Sequence, residues 1–379
     1  MTDISTLRPT ERAQTLAVAE RIAAAIDAAG GWLRFDRYME LALFEPGLGY
    51  YSAGAAKFGA AGDFTTAPEL SDVLVDGLAA VFAPALARMQ SPTLLELGAG
   101  SGRLARRIIA RLEACGVQLD RYLILEPSAD LRERQRLALA KSACPVSWLD
   151  ALPESPIEAV VFGNEVADVL PVVPFVKTAD SALPLGVVVD GKGFAWAKGE
   201  PDPAVSRGVA AIERRVGREF EAGFRSEFCP ALPAWVTALA ESITAGGLML
   251  IDYGLPSQAY YHEDKDGGTL ICHYRHRAHA DPFLLPGLQD ITAWVDFSVV
   301  AESAAAAGLT LSGFTTQGQF LAEMLTAGRI DVPADVEGQS ALKTLLLPGE
   351  MGERFKMIWL TRDLPFAEML PGRDFRGWL

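Results

Sequence analysis

The strongest structural signal in the chain is an apolar run, a glycine-rich turn and the beginning of an amphipathic helix, in immediate succession over residues 93–116. The turn contains Gly98, Gly100 and Gly102, and glycines allow a backbone to approach a ligand closely. The helix that follows offers unpaired N–H groups in its first turn. A buried strand, a glycine turn and a helix in this order predict the first βα unit of a doubly wound α/β sheet.

The same alternation of strand and helix continues through most of the chain. Short apolar runs predict strands at 121–126, 146–150, 158–165, 246–254, 309–317 and 355–362, and helical patterns lie at 104–116, 131–140 and 231–244. Strands and helices at this spacing are typical of a parallel sheet with helices on both faces. We therefore expect a Rossmann-like α/β fold.

Two long segments interrupt this alternation. Residues 171–230 alternate apolar and polar positions and turn at Asp190–Gly191, which predicts an inserted antiparallel β lobe. Residues 255–300 form a second insertion, rich in histidine, proline and glycine.

The N-terminal part, residues 1–90, differs from the rest of the chain. A helical pattern over 10–30 ends in two glycines, and a stretch rich in glycine and aromatic residues follows it. The predicted core therefore comprises 91–170 and 231–379.

Composition and charge exclude several classes of protein. Of the 379 residues, 50% are apolar, and no apolar run reaches the length of about 18 residues that a membrane span needs. The formal net charge of −14 argues against nucleic-acid binding, because neutralising phosphates requires a basic face. A cationic small molecule or a basic peptide is an easier partner. Scattered cysteines and a start without a secretory signal predict a cytoplasmic protein.

The glycine turn by itself suits NAD, FAD or S-adenosylmethionine (SAM) as a ligand. Two acidic residues narrow this range of candidate ligands. Glu96 brings a carboxylate to the end of the first strand, where a dinucleotide enzyme must admit a pyrophosphate and where SAM has an ammonium group. Glu126, at the end of the second strand, is placed to accept hydrogen bonds from ribose hydroxyls. The pattern resembles the class I SAM-dependent methyltransferases. The alternative is a tight turn that binds no ligand.

A second group of polar residues, Asn164, Glu165 and Asp168, follows the fourth strand. In open α/β sheets the ligand lies beyond the carboxyl ends of the strands, so these side chains are expected beside the methyl donor. Two carboxylates there can hold a guanidinium or an ammonium group. The alternative is helix capping, with Asn164 as the N-cap and the acids in the first helical turn.

Several motifs in order along the chain make the resemblance more specific. They are YMELALFEPGLGYY (38–51), FGAAGDFTTAPELS (58–71), ELGAGSGRL, LEPSADLRERQ (125–135), GNEVADVLPV, IDYG (251–254), HRAHADPFLLPGLQDITAWVDFS (276–298) and TTQGQFL (315–321). Together they resemble the MidA family of SAM-dependent methyltransferases, which includes the mitochondrial complex I assembly factor, a protein-arginine methyltransferase. The resemblance implies a class I methyltransferase core with an extra lobe, SAM as the cofactor, and a protein substrate with an accessible arginine, such as a subunit of a respiratory complex of the complex I type.

Carried onto this chain, the resemblance implies two sets of site residues. The cofactor-binding set comprises Glu96, Gly98, Gly100, Gly102, Glu126, Asp150 toward the adenine, and Thr65, Thr66 and Glu69 in a segment that covers the cofactor. For that segment the alternative is that Thr66 caps a helix that begins at Pro68. Near the transferred methyl lie Asn164 and Glu165. Trp294 departs from the family pattern, which has a histidine or another polar residue there.

All four histidines lie between His262 and His279, next to Cys272. Their spacing matches no standard zinc pattern, and arginines are interleaved among them, so no metal is predicted. Hydrogen bonds to loop backbone, or a place along the substrate groove, are the expected roles of His276 and His279.

For an arginine acceptor, a carboxylate must orient one guanidinium nitrogen and accept its proton, because the group arrives protonated. The predicted catalytic residues are Glu165, aided by Asp168, with Asn164 on the cofactor side. Asp252 and Tyr253, at the end of the fifth predicted strand, are second candidates. The rival functions are an assembly or binding factor with a methyltransferase fold, and a methyltransferase of small amine or hydroxyl compounds. Exposed apolar residues in 171–230 suit either a homodimer face or a substrate platform.

Overall fold

The computed structural model describes residues 7–53, 71–191, 193–364 and 370–379. These residues divide into two compact units. The sheet unit comprises the described residues of 71–168, 232–256 and 297–379, and the lobe unit those of 7–53, 169–231 and 257–296. The domain boundaries expected from the sequence stay a prediction.

The described helices and strands are as follows, in chain order. The helices are α1 (Pro9–Ala28), α2 (Phe35–Phe44), α3 (Val73–Leu86), α4 (Arg103–Ala114), α5 (Ala129–Leu139), α6 (Pro203–Val216), α7 (Leu232–Glu241), α8 (Ser257–Tyr260), α9 (Phe297–Ala306), α10 (Gln317–Thr326), α11 (Val336–Leu346) and α12 (Met351–Arg354). The strands are β1 (Leu33–Arg34), β2 (Thr93–Leu97), β3 (Arg121–Leu125), β4 (Val146–Leu149), β5 (Ile157–Asn164), β6 (Val173–Lys177), β7 (Ala182–Asp190), β8 (Gly193–Lys198), β9 (Arg225–Phe228), β10 (Ile243–Leu255), β11 (Ile271–Tyr274), β12 (Arg277–His279), β13 (Asp290–Thr292), β14 (Val295–Asp296), β15 (Thr310–Thr316) and β16 (Phe355–Arg362).

The sheet unit is built on strands in the order β4–β3–β2–β5–β10–β16–β15. Strands β4, β3, β2, β5 and β10 pair in parallel, whereas β16 runs antiparallel to both of its neighbours, β10 and β15. The reason lies in the connection. Helix α12 ends at Arg354 and β16 begins at Phe355, opposite Tyr253 near the carboxyl end of β10, so the chain re-enters the sheet at the edge where β15 left it. The sheet is therefore mixed, not wholly parallel.

Helices cover both faces of this sheet, which confirms the doubly wound α/β fold. On one face the side chains of Leu94, Phe162 and Met249 join a core with α3, α4 and α10. Here the ring of Phe82 lies 5.4 Å from that of Phe162. On the other face α7 and α9 pack against the sheet, with the ring of Phe297 5.4 Å from that of Phe314 in β15. Both faces are buried, which is why the strands are continuously apolar.

The lobe unit contains the predicted antiparallel strands. Its larger sheet has the order β1–β7–β6–β9, and β8 pairs with β7 as a hairpin in which Asp190 lies opposite Gly193. Gly191 has a φ of +60°, as the hairpin turn requires. A smaller sheet has the order β12–β11–β13 and comes from the predicted second insertion.

The N-terminal helices belong to the lobe unit and confirm the helical pattern near the start of the chain. Helix α1 is followed by Gly30 and Gly31, both with positive φ, as a glycine stop requires. In α2, Tyr38 is fully buried and its hydroxyl donates a 2.7 Å hydrogen bond to the carbonyl of Pro282. No helix in the described part of the chain combines the length and the apolarity that crossing a bilayer requires.

Candidate functional site

The glycine turn between β2 and α4 adopts a conformation that favours glycine at three positions. Gly98, Gly100 and Gly102 have φ values of +63°, +51° and +78°. The turn is fastened to the neighbouring strand because the amide of Gly98 donates a 3.0 Å hydrogen bond to the carbonyl of Leu125. Gly102 is the N-cap of α4, so the first amides of this helix face the carboxyl edge of the sheet.

Glu126, just beyond the end of β3, has both carboxylate oxygens oriented by the protein. The amide of Ser128 donates to Oε1 at 3.0 Å, and Nε2 of Gln135 donates to Oε2 at 3.0 Å. The side chain is 4% exposed. These two hydrogen bonds fix the orientation of the carboxylate at the end of β3.

Gln135 joins Glu126 to the glycine turn, and the sequence motifs do not single it out. Its Nε2 also donates to the carbonyl of Gly100 at 3.1 Å, while Nε1 of Trp148 in β4 donates to its Oε1 at 2.8 Å. It is fully buried. The available signal was its place at helical spacing between Leu131 and Leu139, where an apolar residue is expected.

Replacing Gln135 by methionine should weaken SAM binding about tenfold, because Glu126 loses its orienting donor. The free energy of unfolding should fall by about 1–3 kcal/mol, since Nε1 of Trp148 loses its acceptor. Calorimetric titration and urea unfolding measure the two effects. Adding Trp148→Phe should recover stability without restoring affinity. Unchanged affinity in Gln135→Met would contradict the orienting role.

Arg132 connects the ends of β3 and β4. Its guanidinium donates to the carbonyl of Glu126 and, at 2.8 Å, to that of Leu149. It also pairs with Asp150 at 2.7 Å, where the Asp150 side chain is 92% exposed. Asp150 thus lies at the strand end that the sequence indicated, and its contact with the adenine stays a prediction.

Glu96 lies inside the sheet unit instead of at an open edge. It is 2% exposed, and its Oε2 accepts a 2.7 Å hydrogen bond from the hydroxyl of Tyr122. The pKa of Glu96 is raised to about 8, mainly by burial and in part by the nearby charge of Glu126, while the hydrogen bond from Tyr122 acts in the opposite direction. Near pH 7 this carboxyl is therefore protonated, and a cation beside it would favour the ionised form. The predicted contact with an ammonium group stays a prediction.

Asn164 and Glu165 mark the point where β5 leaves the sheet. Nδ2 of Asn164 donates a 2.9 Å hydrogen bond to Oε1 of Glu165. Glu165 has a φ of +55°, and its amide donates to the carbonyl of Ile251 at 2.9 Å. Residues 165–170 form bends and turns without a helix, so the helix-capping alternative is wrong.

Asp252, in β10, holds the segment that follows. Its Oδ2 accepts the amides of Val166, Ala167 and Asp168 at 3.2, 2.9 and 3.2 Å, and its Oδ1 accepts the amide of Tyr253 at 2.9 Å. Burial raises the pKa of Asp252 to about 7, although these amides act in the opposite direction. Asp168 itself is 4% exposed.

Val166 links this segment to the glycine turn. A Cβ at Gly98 would lie 3.1 Å from Cγ1 of Val166, and one at Gly163 would lie 2.6 Å from its Cγ2. Val166 thus packs between the ends of β2 and β5, where only glycines leave room for it. This contact brings the two groups of residues predicted from the sequence to the same edge of the sheet.

The remaining predicted residues fall elsewhere. Thr65, Thr66 and Glu69 lie outside the described residues. In the lobe unit, Nδ1 of His279 accepts the amide of Asp281 at 3.3 Å, a hydrogen bond to loop backbone of the expected kind. Within the described ranges, no three histidine, cysteine or acidic side chains come together as a metal site.

The strand order, the glycine turn after β2 and the acid after β3 define the class I SAM-dependent methyltransferase fold. Residues 77–315 match the family model Methyltransf_28, described as "Putative S-adenosyl-L-methionine-dependent methyltransferase". The chain belongs to this family, which is also called MidA, and this confirms the family and the cofactor, SAM, predicted from the sequence.

Known relatives match over nearly the whole chain. The mitochondrial protein arginine methyltransferase NDUFAF7 of Mus musculus is 30% identical over 92% of this chain and 84% of its own length. Its Homo sapiens counterpart is 28% identical over 92% and 83%. A COG1565 superfamily member from Burkholderia thailandensis, crystallised with S-adenosyl-homocysteine, is 41% identical, with a TM-score of 0.86 over 94% of this chain and 95% of that one.

The residues at the carboxyl edge of the sheet fit this cofactor. Both oxygens of Glu126 are oriented by Ser128 and Gln135 at the end of β3, and the glycine turn keeps side chains away from the backbone. Oδ1 of Asn164 is buried, and among the described residues it has no hydrogen-bond partner. A buried carbonyl oxygen without a donor is a site for an N–H group of a ligand.

Proposed function

We propose that this protein transfers a methyl group from SAM to a guanidinium nitrogen of an arginine in a protein substrate. One observation carries the proposal. At the end of β5 the left-handed conformation of Glu165 turns a carboxylate out of the sheet, beside the edge that suits the cofactor, and Asn164 orients it. The names of the mouse and human relatives support arginine as the acceptor.

The bound cofactor supplies an electrophilic methyl group. The chain binds and orients it: Glu126 accepts the ribose hydroxyls, Asp150 lies toward the adenine, and the turn from Gly98 to Gly102 presents backbone close to the methionine part. Binding in this way converts a bimolecular reaction into one between fixed partners. Glu96, which is buried and comes just before this turn in the sequence, binds the ammonium group and loses its proton when it does so.

Glu165 acts on the acceptor. A guanidinium has a pKa above about 12, so it arrives charged and planar, and a carboxylate can bind it through two parallel hydrogen bonds. As the new C–N bond forms, the acidity of the guanidinium rises and Glu165 accepts a proton. Asn164 keeps the carboxylate in place from the cofactor side. Asp168 adds negative charge near the same point.

The proposal also covers the identity of the protein substrate and the compartment in which the protein acts. A subunit of a complex I type respiratory enzyme is the proposed substrate, because the MidA family, to which the sequence motifs are similar, includes the mitochondrial complex I assembly factor. Within the described chain the four cysteines form no disulfide, which is consistent with a cytoplasmic protein.

The decisive test is transfer of tritium from methyl-labelled SAM to an extract of cells that lack this protein. We expect label in protein, and mass spectrometry of the labelled peptides should find methylarginine. Label confined to small metabolites would exclude the arginine proposal and favour a small amine or hydroxyl acceptor. Binding of SAM without any transfer would favour an assembly factor.

Replacing Glu165 by glutamine should lower transfer at least tenfold, since a neutral amide cannot accept the proton. The dissociation constant of SAM should change less than about twofold, because Glu165 faces the acceptor. Initial rates and calorimetric titration measure the two quantities. Glu154→Gln removes the same charge from an exposed position before β5 and should change neither. Equal losses of transfer and affinity in Glu165→Gln would make it a cofactor-binding residue.

A further inference from the structure

Asp252 occupies the position in β10 where its neighbour β5 leaves the sheet. The parallel pairing of the two strands ends with Ile251 opposite Asn164. One residue further, the amide of Glu165 still donates to the carbonyl of Ile251, and then the chain turns away. Asp252 is therefore the first side chain of β10 that meets the departing segment.

The departing segment begins in an unfavourable conformation. Glu165 has a φ of +55°, in the left-handed region where its Cβ crowds the backbone and where glycine is usual. A non-glycine residue stays there only when surrounding contacts determine the conformation. Because no helix or strand includes residues 165–168, those contacts must come from side chains and from other elements.

Three of these contacts converge on one carboxyl oxygen of Asp252. The amides of Val166, Ala167 and Asp168 converge on Oδ2 of Asp252. Successive amides that point to one centre form a concavity of hydrogen-bond donors, and here a carboxyl oxygen of Asp252 occupies it. The amide of Tyr253 donates to the other oxygen, so both oxygens of Asp252 accept backbone amides.

Asp252 has no direct part in the chemistry. It is 1% exposed, and its oxygens already accept four amides. It can influence methyl transfer only through the segment that it holds. That segment contains the residue proposed to orient the acceptor and to take its proton.

We propose that Asp252 is a positioning residue for methyl transfer, which fixes residues 165–168 so that Glu165 keeps its left-handed conformation and its carboxylate faces the acceptor. The proposal rests on the proposed function for the role of Glu165. Whether Asp252 holds the segment does not depend on the proposed function, and hydrogen exchange tests it separately.

Two variants separate the charge from the shape of the side chain. Asp252→Ala removes the acceptor of all three amides. Asp252→Asn keeps one oxygen for them, but places an NH2 group against the amide of Tyr253, now 2.9 Å from Oδ1. We expect kcat to fall about 100-fold in Asp252→Ala and about tenfold in Asp252→Asn, the size of effect that a displaced reacting group produces. The dissociation constant of SAM should stay within about threefold in both.

The experiment combines three measurements on the full chain. Initial rates over a range of labelled SAM, with the cell extract as acceptor, give kcat and KM for SAM; calorimetry gives the dissociation constant; hydrogen exchange with mass spectrometry follows amides 166–168. Exchange there should accelerate at least tenfold in Asp252→Ala, since all three amides lose their acceptor. Asp335→Ala is the matched control: Asp335 also accepts a backbone amide, that of Gly338 at 2.8 Å, and its loss should leave kcat and these amides unchanged.

The outcomes are distinguishable. Unchanged exchange at 166–168, or a kcat that stays within about twofold in both variants, would overturn the positioning role. A parallel loss of kcat and SAM affinity would overturn it as well, because Asp252 would then serve the cofactor. If Asp252→Ala does not fold, Asp252→Asn carries the same three measurements. Absence of arginine labelling by the unaltered protein would refute the proposed function, whereas the exchange measurement would still decide whether Asp252 holds the segment.

Discussion

Replacing Gly163 by alanine should lower methyl transfer about 100-fold, although the change adds a single methyl group. The new Cβ would lie 2.6 Å from Cγ2 of Val166, and 3.4 Å from Cβ and Cδ1 of Leu97. Leu97 is fixed in β2, so Val166 must move, and with it the segment that contains Glu165. Overpacking of this kind costs about 1–3 kcal/mol in the free energy of unfolding, which is too little to unfold most domains. The main loss should therefore be in activity.

A second substitution tests this explanation directly. In Gly163→Ala combined with Val166→Ala, Cγ1 and Cγ2 are gone, so the new methyl group has room and most of the lost transfer should return. Gly349→Ala is the matched control, because a Cβ there meets nothing within 4 Å. Rates with labelled SAM and urea unfolding are the measurements. A double variant as inactive as Gly163→Ala alone would show that Val166 does not transmit the effect.

The sequence predicted the strands of the sheet unit closely, for a physical reason. Strands such as β2 and β5 are buried on both faces, so they appear as continuous apolar runs that end in glycine or polar residues. Glu126 follows the carboxyl end of β3, and Asn164 and Glu165 lie at the carboxyl end of β5; this placement follows from the direction of parallel strands alone. The predicted helix over 10–30 corresponds in the same way to α1 (Pro9–Ala28).

The supporting residues could not be predicted in this way. Asp252 is 84 to 86 residues from the amides that it accepts, and a single sequence carries no record of such a contact. The helix-capping interpretation of Asn164 was wrong for the same reason. Sequence rules for helix caps consider only neighbouring residues, so they cannot include Asp252, which accepts the amides of this segment from strand β10. The reversed direction of β16 also depends on where α12 returns to the sheet, which periodicity does not reveal.

Replacing Glu96 by glutamine should remove a large pH dependence of stability. In the folded chain burial raises the pKa of Glu96 to about 8, from 4.5 for the ordinary side chain. The folded protein therefore keeps a proton that the unfolded chain releases above its own pKa. This stabilises the fold fully below pH 4.5, and the contribution is lost as the pH rises toward 8, at about 1.4 kcal/mol per pH unit. The amide side chain introduced by Glu96→Gln carries no charge and can still accept a hydrogen bond from the hydroxyl of Tyr122. The variant should therefore match the unaltered protein near pH 5 and exceed its stability by several kcal/mol at pH 8.

Urea unfolding from pH 5 to pH 8 measures this difference. Asp252 also has a raised pKa and loses stability in the same direction, but it does so in both proteins, so the difference between them isolates Glu96. Parallel pH profiles would contradict the burial argument.

The same variant, Glu96→Gln, also tests whether Glu96 contacts the cofactor. If the ammonium group of SAM meets Glu96, binding must drive its proton into solution near pH 7, because a neighbouring cation favours the carboxylate. Calorimetry in two buffers of different ionisation enthalpy should then detect release of about one proton with the unaltered protein, and no release with Glu96→Gln.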